Sequence, residues 1–144
     1  MGATIRVVLD TSVLIAAARS RNGASFQLIS MLPDPRFQIC LSVGVYAEWQ
    51  SVITRPEHMP PGVDEATAMG FVRYLASIAH LQEVDFLWRP FLRDADDDMV
   101  LECAVASGAK HIITHNTKDF RRAVEPGVTA ITPGQFLSSM LKVK

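Results

Sequence analysis

The chain has 144 residues, a length that suits one domain and lets roughly two-thirds of its unfolded surface be buried. Nearly half the residues are apolar (49%), few are aromatic (8%), and no repeat or low-complexity tract occurs, which excludes disordered and fibrous classes. A formal net charge of −1 lacks the basic excess of many nucleic-acid binders, yet leaves room for a basic rim around an acidic pocket, because the two cancel in the sum. No run approaches the roughly 18 apolar residues of a membrane span. The N-terminus lacks a charged segment leading into a long apolar stretch, so a cytoplasmic location is expected. Cys40 and Cys103 both lie among apolar neighbours and read as small core residues.

Residues 5–9 form a short apolar run with β-branched content, the pattern of a buried parallel strand. Asp10-Thr11-Ser12 supplies turn and N-cap chemistry before a helix over 13–18. Phe26, Leu28, Ile29, Met31 and Leu32 predict a second helix, stopped by Pro33 and Pro35. Phe37 to Leu41 is the second strand, and Ser42 caps a helix running from about Val43 to Thr54, before Pro56. Asp64 caps a longer helix that carries Phe71, Val72, Leu75, Ile78 and Ala79, and Glu83 to Leu87 reads as a short strand. Asp94 to Asp98 leads into a helix over 99–107, closed by Gly108. His111 to Thr114 and Val128 to Thr132 are two further strands, with Pro133 in the first turn of a last helix ending near Leu141. Strands alternating with helices predict a single α/β domain over 1–144, with a mainly parallel sheet in an α/β/α sandwich.

Acids and amides gather where these elements meet loops. Asp10 ends the first strand, where turn chemistry alone would also explain it. Glu48 has Val45 and Val52 as helical neighbours, a partly apolar face that would raise its pKa or call for a cation, unless the side chain is simply exposed. Residues 94–98 carry four acids in five positions, more than helix capping needs. Asp97 shares a face with Val100, Leu101 and Ala104 and is the preferred site residue. Asp98 is second, because its i+4 partner Glu102 makes a like-charge pair better tolerated in water. Asn116 offers a neutral oxygen, Asp119 adds charge, and the Thr114 hydroxyl is placed to fix a carboxylate; an Asx-type turn is the plainer alternative here.

Carboxylates converging at the carboxyl edge of an open sheet repel unless protons or a cation intervene. Hard oxygen donors favour Mg²⁺ or Mn²⁺ over zinc, and none of His58, His80, His111 and His115 shows zinc-like spacing. The expected metal and catalytic set is therefore Asp10, Glu48, Asp97, Asn116 and Asp119, with Asp98 as a further ligand. Neither a Gly-x-Ser-x-Gly elbow nor a phosphate-binding glycine loop occurs. Thr11, Ser12, Thr114, His115, Arg121 and Arg122 are the expected substrate contacts, and Arg19, Arg21, Arg55 and Lys118 are further basic groups near loops.

In chain order, Val8-Leu9-Asp10-Thr11-Ser12-Val13-Leu14, Glu48 in Tyr46-Ala47-Glu48-Trp49, the run 96–104 and the run 112–120 resemble the PIN domain family of metal-dependent nucleases. The similarity extends from Ile5 to about Leu141. Together with Val52-Ile53-Thr54-Arg55-Pro56, it lies nearest the VapC-like branch of toxin components of bacterial toxin–antitoxin systems. The resemblance implies a three-layer α/β/α fold and Mg²⁺- or Mn²⁺-dependent cleavage of RNA. It also implies a small antitoxin partner and a homodimer. Its first three acids match Asp10, Glu48 and Asp97, and its fourth falls on Asn116, a departure that removes one formal charge. Two other classes remain open: a catalytically silent RNA- or partner-binding module that keeps the fold, and a phosphotransfer protein with Asp10 as acceptor, which lacks a second aspartate and a lysine near the first strand.

Overall fold

The computed structural model describes residues 4–85 and 91–143. Five strands, β1 (Ile5–Leu9), β2 (Phe37–Leu41), β3 (His80–Leu81), β4 (His111–Ile113) and β5 (Thr129–Ile131), form one sheet in the order β3-β2-β1-β4-β5. Every pairing is parallel. Consecutive strand residues face opposite sides of a sheet. Val7, Val8 and Leu9 are all fully buried, as are Ile39 and Cys40, so both faces of the central strands are covered. The helices that flank the sheet are α1 (Thr11–Arg19), α2 (Ala24–Ser30), α3 (Val43–Ile53), α4 (Glu65–Ile78), α5 (Ala95–Ser107) and α6 (Pro133–Gln135), the last running on into a wider turn over Phe136–Met140. The expected α/β architecture with a parallel sheet is the one observed. Among the described residues no helix is long and apolar enough to cross a membrane.

Local chemistry sets the helix ends. The Ser42 hydroxyl accepts from Val45 N–H at 3.2 Å at the start of α3, and the Asp64 carboxylate accepts from Thr67 N–H at 2.8 Å at the start of α4. Gly108 closes α5 in the left-handed region at φ 74°, which a side chain would resist. Thr132 and Gln135 make a reciprocal capping box around Pro133. The predicted strand over 83–87 is corrected: pairing with β2 occurs at His80–Leu81, residues 82–85 form no strand, and 86 and 87 lie outside the described residues. A two-residue edge strand buries too little for any alternation to mark it.

The fully buried Trp49 fills the space between α3 and the sheet, and its indole Nε1–H donates to the Leu9 carbonyl at 3.1 Å. That bond fastens α3 to the end of β1, one residue before Asp10. Phe37 and Phe136 pack edge to face at 5.3 Å and close the core beneath α6. Cys40 and Cys103 are buried, and burial raises both thiols, Cys103 to about 12. Replacing Trp49 by Phe keeps most of the packing but leaves a buried carbonyl without its donor; a loss of about 1–3 kcal/mol in urea unfolding is expected.

Candidate functional site

Strand order reverses between β1 and β4: the chain moves from β1 to β2 on one side and returns to place β4 on the other. Such a switch point opens a crevice beyond the carboxyl ends of the two strands. Asp10 follows β1 and Thr114 follows β4, and Asp10 N–H extends the ladder to the Ile113 carbonyl at 3.0 Å. Asp10 has the backbone of an N-cap residue, yet its carboxylate caps nothing. Its Oδ2 instead accepts from the Ser12 hydroxyl at 2.7 Å and the Thr114 hydroxyl at 2.8 Å. Those hydroxyls accept in turn from His115 N–H at 3.0 Å and Asn116 N–H at 2.9 Å. The segment after β4 is thereby strapped to the start of α1.

A cleft of about 300 Å³ opens over Asp10. It brings together Asp10, Glu48, Asp97, Asn116 and Asp119, together with Thr11 and Ser12, all named from the sequence. Val45, Val52 and Val100 supply apolar walls. Burial, with the charges of Asp96, Asp94 and Asp10 adding to it and Arg55 opposing, raises the Glu48 carboxyl above its ordinary value. Asp97 is pushed from 3.8 to about 7, first by burial and then by repulsion from Asp10, Asp94, Asp119 and Asp96. Asn116 starts a 3-10 segment (Thr117–Val124) without using its side chain as a cap.

Two expectations are corrected, those for Asp98 and Thr114, and three further residues stand outside the cleft lining. Asp98 does not face the cleft: it is buried, and its carboxylate accepts from the backbone N–H groups of Leu92 at 2.7 Å and Phe91 at 3.3 Å, fixing the chain before α5. Its predicted solvation beside Glu102 fails because α5 is enclosed on most sides and both acids are buried. Thr114 is fully buried, so it orients Asp10 and offers no surface to a substrate. The His115 ring meets the Ser25 hydroxyl at 2.7 Å and stands outside the cleft lining. Arg121 lines a separate hollow with Lys118. Arg122 is held by Glu125 and the Phe91 carbonyl, each at 2.8 Å, with its guanidinium 4.2 Å over the Phe91 ring. Arg55, one of the basic groups named from the sequence, lines the cleft, and so do Asp94, Asp96 and His58, which were not expected there. The spacing of Arg55 and His58, three apart around Pro56, was the available signal for that pair. A larger hollow of about 860 Å³ beside β3 is mainly apolar and borders Val84 and Asp85, next in sequence to 86–90.

The donors of the cleft are carboxylate and amide oxygens, the set a hard divalent cation prefers, and the raised Asp97 and Glu48 mark a place short of positive charge. The residues therefore fit Mg²⁺ or Mn²⁺ by chemistry. Among the described residues no three His, Cys, Asp or Glu side chains already converge as a ligand cluster.

A family model for the PIN domain matches residues 6–118, well over half of the chain. A chain from VapBC2 of Rickettsia felis, in a crystal structure bound to a DNA fragment from its promoter, is similar with a TM-score of 0.62 at 16% identity, covering 89% of this chain and 98% of that one. A chain from VapBC-1 of nontypeable Haemophilus influenzae gives 0.61 at 17% identity, with 90% and 99% covered. At such identities the likeness is one of fold. No curated protein matches the sequence.

Because Asp97 binds its proton more tightly folded than unfolded, the folded state holds more protons between about pH 4 and 7. Stability of the metal-free protein therefore falls as pH rises through that window, and the cost is complete above it. Asp97→Asn should stabilise the metal-free protein at pH 8, on the order of 1–2 kcal/mol once solvent screening of this partly buried group is discounted. Urea unfolding at pH 8 and pH 4 checks this, the gain disappearing at the lower pH.

Proposed function

The chain belongs to the PIN domain family, and from that membership we propose that it is a metal-dependent endoribonuclease, the toxin component of a toxin–antitoxin pair. The observation that carries this reading is the arrival of Asp10, Glu48, Asp97, Asn116 and Asp119 in one cleft at the β1–β4 switch point. The two solved structures reported above come from VapBC assemblies, in accord with the toxin–antitoxin branch the sequence resembles and with a small antitoxin as partner.

Asp10 and Asp97, with Asn116 and Asp119, would hold Mg²⁺ or Mn²⁺ directly or through water. When bound, such an ion lowers the pKa of coordinated water and stabilises charge on the leaving oxygen. The protein's own part is positional. Ser12 and Thr114 aim Asp10 through Oδ2, and Oδ1 accepts no hydrogen bond among the described residues. Glu48 lies in the same cleft, its carboxyl raised above its ordinary value by burial, and is placed to orient an attacking water and accept its proton. The valine walls limit access of bulk water around the carboxylates, which strengthens every charge interaction inside.

Purified protein with labelled single-stranded RNA should cleave it in Mn²⁺ or Mg²⁺ and not in EDTA. Asp10→Asn and Asp97→Asn should each lower the rate by about 10²-fold or more. Cleavage that persists in EDTA, or that both variants leave intact, overturns the reading. One feature favours a second reading, a silent RNA- or partner-binding module: Asn116 stands where the family pattern has an acid. Calorimetric titration separates the two. An active nuclease binds Mn²⁺, and Asn116→Asp tightens that binding by restoring a charge; a silent module binds it poorly and cleaves nothing.

A further inference from the structure

Six carboxylates line the cleft (Asp10, Glu48, Asp94, Asp96, Asp97 and Asp119), and against them stand two groups able to carry positive charge, Arg55 and His58. Both come from one short piece of backbone. Arg55 precedes the 3-10 turn Pro56–His58, and His58 N–H donates to the Arg55 carbonyl at 2.9 Å. Pro56 presets φ at the first position of that turn. Arg55 is extended (φ −65°, ψ 137°) as the cap of that turn, and both side chains reach the cleft lining where α3 ends.

Their bonding leaves both heads available. Arg55 is exposed and forms no ion pair among the described residues, although its charge acts on Glu48 inside the cleft. The His58 Nδ1 lies 2.8 Å from the Val52 carbonyl. A carbonyl only accepts, so Nδ1 carries a proton, and Nε2 is the nitrogen left for a ligand. Nε2 has no partner among the described residues and is not sealed from solvent. A nucleic-acid strand approaching six carboxylates meets repulsion along its whole backbone. Arg55 and His58 are the cationic groups that this lining offers in return.

We propose that Arg55 and His58 form a phosphate-holding rim of the cleft, gripping a backbone phosphate next to the one presented to the carboxylates. This rests on the ribonuclease reading and names how the strand is held. The Arg55 guanidinium provides paired N–H donors matched to phosphate oxygens. His58 presents Nε2, the ring nitrogen that the Val52 bond leaves over, and donates to a phosphate oxygen from it when both ring nitrogens carry hydrogen. The Val52 carbonyl holds the ring in orientation.

The test is fluorescence anisotropy of labelled single-stranded RNA at several KCl concentrations in Ca²⁺, with gels to check that the RNA stays intact. Arg55→Ala should weaken binding about 10-fold and flatten the log–log salt slope by about 0.7, the single-strand increment for one phosphate contact. His58→Asn places an amide N–H near the Nδ1 position and keeps the bond to Val52, so it should unfold like the wild type in urea while binding RNA several-fold more weakly. His58→Gln presents an N–H near the Nε2 position instead and should recover part of the affinity. A DNA oligonucleotide of the same sequence should show equal losses, because the phosphate is common to both. If Arg55→Ala and His58→Asn bind with unchanged affinity and slope while the wild type binds and, in Mn²⁺, cleaves, the rim is refuted and the nuclease reading stands. Losses confined to RNA refute the phosphate assignment. A wild type that neither binds nor cleaves removes both.

Discussion

Two hydroxyls on one carboxylate oxygen hold the site together. Ser12 comes from the first turn of α1 and Thr114 from the end of β4, and both donate to Oδ2 of Asp10. Without them Asp10 would be free to cap α1, the ordinary use of an aspartate in that backbone conformation. Because Thr114 also receives Asn116 N–H and Ser12 receives His115 N–H, the same pair of oxygens fixes where the chain goes after β4. Sheet topology brings the two strand ends side by side, and these bonds turn proximity into a defined direction for one charged group.

The cleft runs against stability. Nature of the lining and depth act together: Asp97 is held near neutrality by burial and by neighbouring carboxylates, and Glu48 is raised by similar forces. Charges that repel at rest are tolerated because the surrounding core is secured elsewhere. Trp49 locks α3 to β1, Asp98 fastens the chain before α5, and the central strands are buried on both faces. Placing the site at strand ends spares the sheet itself from carrying unpaired charge.

Most of the scaffold was legible because burial on both faces leaves an unbroken apolar run. The spans of β1 and β2 read directly from the sequence, and Ser42, Asp64 and Gly108 marked helix ends through known cap chemistry. The site was legible where an acid interrupted such a pattern, as at Asp10 and Asp97. It was not legible where tertiary contact overrode helical geometry. Asp98 and Glu102 looked solvated because like charges avoid burial, but Asp98 is consumed by backbone donors from a segment whose path no local pattern reveals. Arg122 looked like a free cation, and only the fold shows it bound to Glu125 and Phe91. His58 had no feature beyond its distance from Arg55, since the carbonyl that orients it lies at the end of the preceding helix.

The burial of Cys40 and Cys103 has a practical side. Thiol reagents attack the thiolate, and a group whose pKa is pushed up to about 12 presents on the order of one thiolate in 10⁵ at neutral pH. Both native thiols are also buried with no exposed surface, so maleimide dyes or spin labels have no access to them in the folded protein. A cysteine introduced on the exposed surface beside the cleft becomes the sole target for labelling, so probes for fluorescence or magnetic resonance can be attached there without first stripping sulfur from the core.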